Sequence, residues 1–295
     1  MSAFSPYAQK LAVIPVRRHE AEVLGGTTAY WEYGPEDAAT TILAVHGFRG
    51  EHHGLEPIVA QLPDVRFISP DLPGFGETAP LPDRAHDLDA YVDWLTAFAA
   101  AAAPGAVVLG HSFGSIVAAA AVARGLPTPR LILVNPIGAP ALSGPRGVFT
   151  RLAVFYYWAG AKLPARLGEA LLRNRIIVRV MSLAMVKTKD AALRRFVHDQ
   201  HDTYFSRFAD RDVLHDAFVT SVSHDVRESA DRIGRPTLLI AAQRDDITPI
   251  EKERELATLF ADAELVEIPE VGHLIHYETP QAAADAIRRF LAPAP

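Results

Sequence analysis

The run Val107-Val108-Leu109-Gly110-His111-Ser112-Phe113-Gly114-Ser115 constrains this chain more tightly than any other stretch. It enters Gly-x-Ser-x-Gly from a short β-branched segment and leaves it through the Ala/Val-rich Ile116–Arg124. Strand, sharp turn and helix in that order form a nucleophile elbow. Such a turn holds Ser112 in a strained backbone conformation. Gly110 and Gly114 are required because only small neighbours let strand and helix approach so closely. The serine hydroxyl then stands at a helix N-terminus, where unpaired backbone N–H groups face whatever it attacks.

A chain of 295 residues with 49% hydrophobic and 22% charged residues can bury one large core with an insertion, or two modest cores. The absence of cysteine excludes disulfides, cysteine nucleophiles and thiolate metal sites, and fits a reducing cytosol. Met1–Pro6 carries neither a basic nor an apolar leader segment, so a cytoplasmic location is expected. The net charge of −6 argues against nucleic acid as a partner. That average conceals an asymmetry. Between Arg146 and Arg195 there are eleven Lys/Arg against two acids, a local +9 that leaves the remainder at −15. The same segment is rich in aromatic and aliphatic residues, and it reads as a separate structural unit.

Around it, apolar runs alternate with helical patterns. Residues 13–23 and 28–33 read as a hairpin across Gly25-Gly26, followed by strands over 41–45, 65–69, 107–109, 131–134, 237–242 and 264–268. Continuous apolar strands alternating with helices predict a mainly parallel sheet covered on both faces. Function then gathers in the loops at the carboxyl ends of strands. Asp245 follows one strand end, and His273 follows another. A serine hydroxyl needs a base near neutrality, and that base needs a carboxylate to orient it. His273 and Asp245 fit those roles. Asp246 is the competing acid, and His46 is expected to pin its loop structurally.

With His46-Gly47-Phe48, Asp71-x-Pro-Gly-Phe-Gly76, Gly110-His-Ser-Phe-Gly114, Asp245-x-x-x-Pro249 and Gly272-His273 in this order, the chain resembles the α/β-hydrolase superfamily, in its group with a helical cap. The resemblance implies an α/β-hydrolase fold: a mainly parallel eight-stranded sheet, helices on both faces, and an inserted cap. It places the core in residues 1–136 and 231–295 and the cap in 137–230. It implies Ser112 as nucleophile, His273 as base then acid, and Asp245 as orienting carboxylate. Phe48 and Phe113 would supply the oxyanion-hole N–H groups. Family spacing to Pro249 favours Asp245 over Asp246. Some relatives take the acid from the preceding strand end, near Asn135 here, which is no carboxylate.

Serine at the elbow implies acyl chemistry rather than the ester-forming chemistry of dehalogenases and epoxide hydrolases. The expected activity is cleavage of carboxylic esters of a fairly apolar substrate. Carbon–carbon bond hydrolysis, thioester, lactone and perhydrolase chemistry use the same residues, and a non-catalytic receptor is the alternative of another class. His111, Phe155, Trp158, Met181 and Met185 are expected to line the substrate pocket. No cofactor or metal is expected, since phosphate loops, dinucleotide fingerprints and metal-ligand spacings are missing. The basic, apolar cap is expected to associate weakly with lipid surfaces, and the chain to be a monomer or homodimer.

Overall fold

A computed structural model describes residues 5–139 and 147–292. Arg146 of the basic segment and residues Met1–Phe4 lie outside them. Eight strands, β1 (Val16–Val23), β2 (Gly26–Tyr33), β3 (Thr41–Val45), β4 (Arg66–Pro70), β5 (Val107–His111), β6 (Leu131–Val134), β7 (Thr237–Ala242) and β8 (Ala263–Ile268), form one sheet. Their order is β1-β2-β4-β3-β5-β6-β7-β8. Only β2 runs against the rest: it pairs antiparallel with both β1 and β4, and every other pairing is parallel. This is the α/β-hydrolase fold expected from the sequence.

The hairpin differs from expectation in its turn. Val23 pairs with Gly26, so the loop is Leu24-Gly25, with φ of 52° and 79°. Two successive positive φ values define the hairpin turn whose twist matches its strands, and Gly25 supplies one of them. The strand β1 begins at Val16, opposite Tyr33 at the end of β2, rather than at Val13.

Alternate residues of the parallel strands face opposite layers. Leu43, Val45, Val108, Leu131, Leu133 and Leu239 pack against α1 (Leu88–Ala102) and α2 (Phe113–Ala123). Ile42, Ala44, Val107, Leu109, Ile132 and Ile240 pack on the other layer with Ile287. Between β6 and β7 the described chain folds into α3 (Gly147–Lys162), α4 (Ala165–Leu172), α5 (Arg175–Met185), α6 (Ala191–Tyr204) and α7 (Arg211–Ser223). After β7 come α8 (Ile250–Ala257) and, at the end, α9 (Pro280–Leu291). Parallel pairing brings the carboxyl ends of β3, β5, β7 and β8 to one edge of the sheet.

Candidate active site

Ser112 sits between β5 and α2 with φ 52° and ψ −120°, a region that side-chain-bearing residues rarely adopt. The neighbouring glycines make the turn feasible. A Cβ on Gly110 would lie 2.4 Å from the Gly114 carbonyl oxygen, and one on Gly114 would lie 2.4 Å from that of Val45. The hydroxyl is thereby fixed at the start of α2, as the motif's spacing requires.

The ends of β7 and β8 bring two distant side chains to it. Ser112 Oγ and His273 Nε2 are 2.7 Å apart, and His273 Nδ1 is 2.7 Å from Asp245 Oδ2. Asp245 is held from three further directions. Ile247 N–H donates to Oδ1 over 2.7 Å, Thr248 N–H donates to the same oxygen over 3.3 Å, and Asn135 Nδ2 donates to Oδ2 over 3.1 Å. Both His273 and Asp245 are buried. Asp246 points elsewhere and pairs with Lys187. Beside Asp245 lies the buried Glu253, whose carboxyl is pushed well above the usual range by burial and by the charge of Asp245. Both effects disfavour a second negative charge beside Asp245.

His46 fastens the loop that follows β3. Leu72 N–H donates to His46 Nε2 over 2.8 Å, so Nδ1 carries the proton and donates to the Gly47 carbonyl over 2.8 Å. Burial holds this imidazole below the usual histidine range, in keeping with its neutral tautomer. Asp71 braces the same region: Oδ1 accepts from the His52 N–H and faces the His52 ring, and Oδ2 accepts from the Glu77 N–H. Phe48 N–H makes no hydrogen bond among the described residues, and Phe113 opens α2, where an N–H has no intrahelical acceptor.

A cavity of about 250 Å³ reaches Ser112, lined mostly by apolar atoms. Phe48, Phe113, His111, Met181 and Met185 line it. Phe155 and Trp158 do not. They are 63% and 50% exposed and stack on each other on the outer face of α3, with ring centroids 5.9 Å apart. Helical periodicity explains the correction: residues three apart share a face, and the inward face of α3 presents Ala153 and Tyr157 instead. Sequence gave no means of telling the two faces apart, because both are apolar.

Among the cavity residues not expected from the sequence are an arginine, a glutamate and two histidines. Arg49, at φ 59° and buried, donates from Nε to the Phe205 carbonyl over 2.8 Å and from Nη2 to that of Leu172 over 2.9 Å, with Tyr157 Oη beside Nη1. It ties the loop after β3 to α3, α4 and the end of α6. His201, His276 and Glu51 line the cavity as well, and His201 Nε2, His276 Nδ1 and Glu51 Oε2 are buried without hydrogen-bond partners. His201 Nδ1 is 2.6 Å from Ser182 Oγ, which also meets His198 Nδ1 at 2.7 Å. Burial and the neighbouring His198 lower His201 to about 3, and burial holds His111 and His276 well below the histidine range. All three imidazoles are neutral at pH 7.

Glu51, His52 and His53 bring three ligating atoms within 4.8 Å of one another. Within this group His52 Nδ1 already meets Asp71 Oδ1 and His53 Nδ1 meets Glu51 Oε1.

Residues 42–286 match the model of the alpha/beta hydrolase family. The chain is 23% identical over 286 residues to the uncharacterized hydrolase YugF of Bacillus subtilis, covering 95% of this chain and 99% of that protein. It is 27% identical over 264 residues to a pimeloyl-[acyl-carrier protein] methyl ester esterase of Neisseria meningitidis, covering 86% and 94% respectively. Among solved structures it resembles the esterase of Thermogutta terrifontis with TM-score 0.71 at 23% identity, covering 93% of this chain and 98% of that one. The enol-lactonase of Burkholderia xenovorans superposes with TM-score 0.75 at 19% identity, covering 92% and 99%. A family match across most of the chain, on the strand order and the elbow described above, means that this protein belongs to the alpha/beta hydrolase family.

Proposed function

We propose that this hydrolase cleaves carboxylic esters of a largely apolar substrate through an acyl-enzyme on Ser112. The observation that carries the reading is the 2.7 Å approach of His273 Nε2 to Ser112 Oγ beside a mostly apolar cavity. Ser112 Oγ attacks the carbonyl carbon and its proton passes to His273 Nε2. Asp245 keeps the proton of Nδ1 in place and stabilises the imidazolium. The oxyanion is held by the N–H groups of Phe48 and Phe113, which are preorganised and need no reorientation as charge develops. The alcohol leaves with the proton from His273. Water then attacks the acyl group with His273 as base, and the acid departs as Ser112 regains its proton.

Esterase relatives support the bond class, and the cavity supports an apolar acyl or alcohol portion. Met181 and Met185 give its wall flexible side chains that adapt to chain length. The partnerless nitrogens of His201 and His276 favour a substrate with a hydrogen-bonding group away from the scissile carbonyl.

The test is hydrolysis of p-nitrophenyl esters from acetyl to palmitoyl, with Ser112→Ala as control. Turnover that disappears in the variant supports the reading. If the whole series is inert to the wild-type protein, ester cleavage is the wrong assignment.

A further inference from the structure

We propose that the outer face of the helical insertion docks onto an anionic lipid surface. Large apolar side chains that stand in solvent are concentrated there. Of the fourteen among the described residues, eight fall between Leu152 and Leu183. Scattered single exposures are ordinary on a protein surface, whereas clustering on consecutive helices marks an interaction face.

Helix α5 shows how the face is built. Val178 and Ser182 are buried, and Met181 and Met185 turn to the cavity. Ile176, Val180 and Leu183, spaced four and three residues apart, face outward and are 75%, 59% and 50% exposed. That spacing puts them in one stripe. The stacked Phe155 and Trp158 on α3 and Leu167 on α4 add to the exposed apolar area.

Charge selects the occupant. Arg151, Lys162, Arg166 and Arg175 are interleaved with these residues, exposed, and without a carboxylate partner among the described residues. Glu169 is the sole acid from 151 to 183. A symmetric contact with a second copy would bring these cations against their own kind. An anionic bilayer accepts both components, with the apolar side chains in the acyl boundary and the cations among the head groups. The −15 carried by the rest of the chain is repelled by the same surface and orients the molecule with its insertion toward the lipid. The face is interfacial, not spanning: no helix among the described residues is long and apolar enough to cross a membrane. Because α5 lines the cavity on its other side, docking sets the lipid one helix away from the cavity.

The experiment is co-flotation with vesicles of mixed phosphatidylglycerol and phosphatidylcholine, and with vesicles of phosphatidylcholine alone. It uses the wild-type chain, Ile176→Ser/Val180→Ser/Leu183→Ser, and Arg151→Gln/Lys162→Gln/Arg166→Gln/Arg175→Gln. Ser112→Ala protein is floated in parallel, so that binding is read whether or not ester hydrolysis occurs. Wild-type and Ser112→Ala proteins should partition onto phosphatidylglycerol vesicles, weakened by salt, and each multiple variant should lose about tenfold or more in partitioning. Hydrolysis of p-nitrophenyl acetate and the thermal midpoint should stay unchanged in the charge variant, which removes no packing. Failure of the wild type to float with phosphatidylglycerol at low salt overturns the proposal, as does flotation of both variants at the wild-type level. Sedimentation showing a wild-type dimer that the serine variant dissociates assigns the face to a second copy instead.

Discussion

Asn135 Nδ2 donates to Asp245 Oδ2 over 3.1 Å, on the same oxygen that faces His273 Nδ1. The end of β6 therefore contributes a neutral donor beside the carboxylate supplied after β7. A donor fixes the carboxylate plane and adds no charge. Asn135→Asp would place a second negative charge there and favour the protonated form of His273. The acid limb of the pH–rate profile for p-nitrophenyl acetate should move to higher pH. Asn135→Ala should lower kcat by about tenfold through lost orientation, with little change in that limb.

Asp245 and Asp246 are separated by one peptide bond and by their surroundings. Asp245→Asn should lower kcat/KM by about 10⁴, because the amide leaves His273 in the wrong tautomer. Asp246→Asn should stay within about threefold of wild type, since Asp246 pairs with Lys187 on the surface. Glu253→Gln should behave like Asp246→Asn, as burial and the charge of Asp245 favour the protonated form of the carboxyl it replaces. Steady-state kinetics on the three variants decides among these carboxyls.

Arg49 holds two insertion carbonyls from the core side. Arg49→Met should cost about 3 kcal/mol in urea unfolding, because buried carbonyls lose a charged donor. Limited proteolysis should cut sooner within residues 151–223 than in the wild type. Arg49→Lys should not restore stability, since one ammonium cannot span the Phe205 and Leu172 carbonyls as the planar fork does.

Stability should fall as the solution is acidified. Histidine ordinarily titrates near 6.5, and His201 is lowered to about 3, with His46, His111 and His276 also lowered. The unfolded chain takes up these protons first, so their contribution is complete above about pH 6.5 and is lost as pH falls toward the folded values. One such group changes unfolding free energy by about 1.4 kcal/mol per pH unit. Urea unfolding across this range should show the loss, and His201→Gln should make the slope shallower by about one proton.

Gly114→Ala should prevent soluble expression or lower stability by more than about 3 kcal/mol, since the added methyl would stand 2.4 Å from the Val45 carbonyl oxygen. The thermal midpoint checks it. Gly234→Ala, with open space around its Cβ position, serves as the tolerant control.

The sequence alone determined the sheet, its strand-end loops and the chain order of Ser112, Asp245 and His273. Those features are written locally: apolar runs of strand length, turn glycines and motif spacings each act over a few residues. Gly110 and Gly114 announced the elbow because the close approach of strand and helix excludes a Cβ at either position. Tertiary structure decided what depends on which surface meets which. Phe155, Trp158 and Tyr157 are neighbours in an apolar stretch, and only the docking of α3 turned Tyr157 inward and left the other two in solvent. Arg49 lies in the loop after β3, and its role comes from carbonyls more than 120 positions away. The clustering of Ser182 with His198 and His201 arises from α5 packing beside α6. A helix's periodicity fixes which side chains share a face, but when two faces are apolar, only the partner's shape selects the buried one.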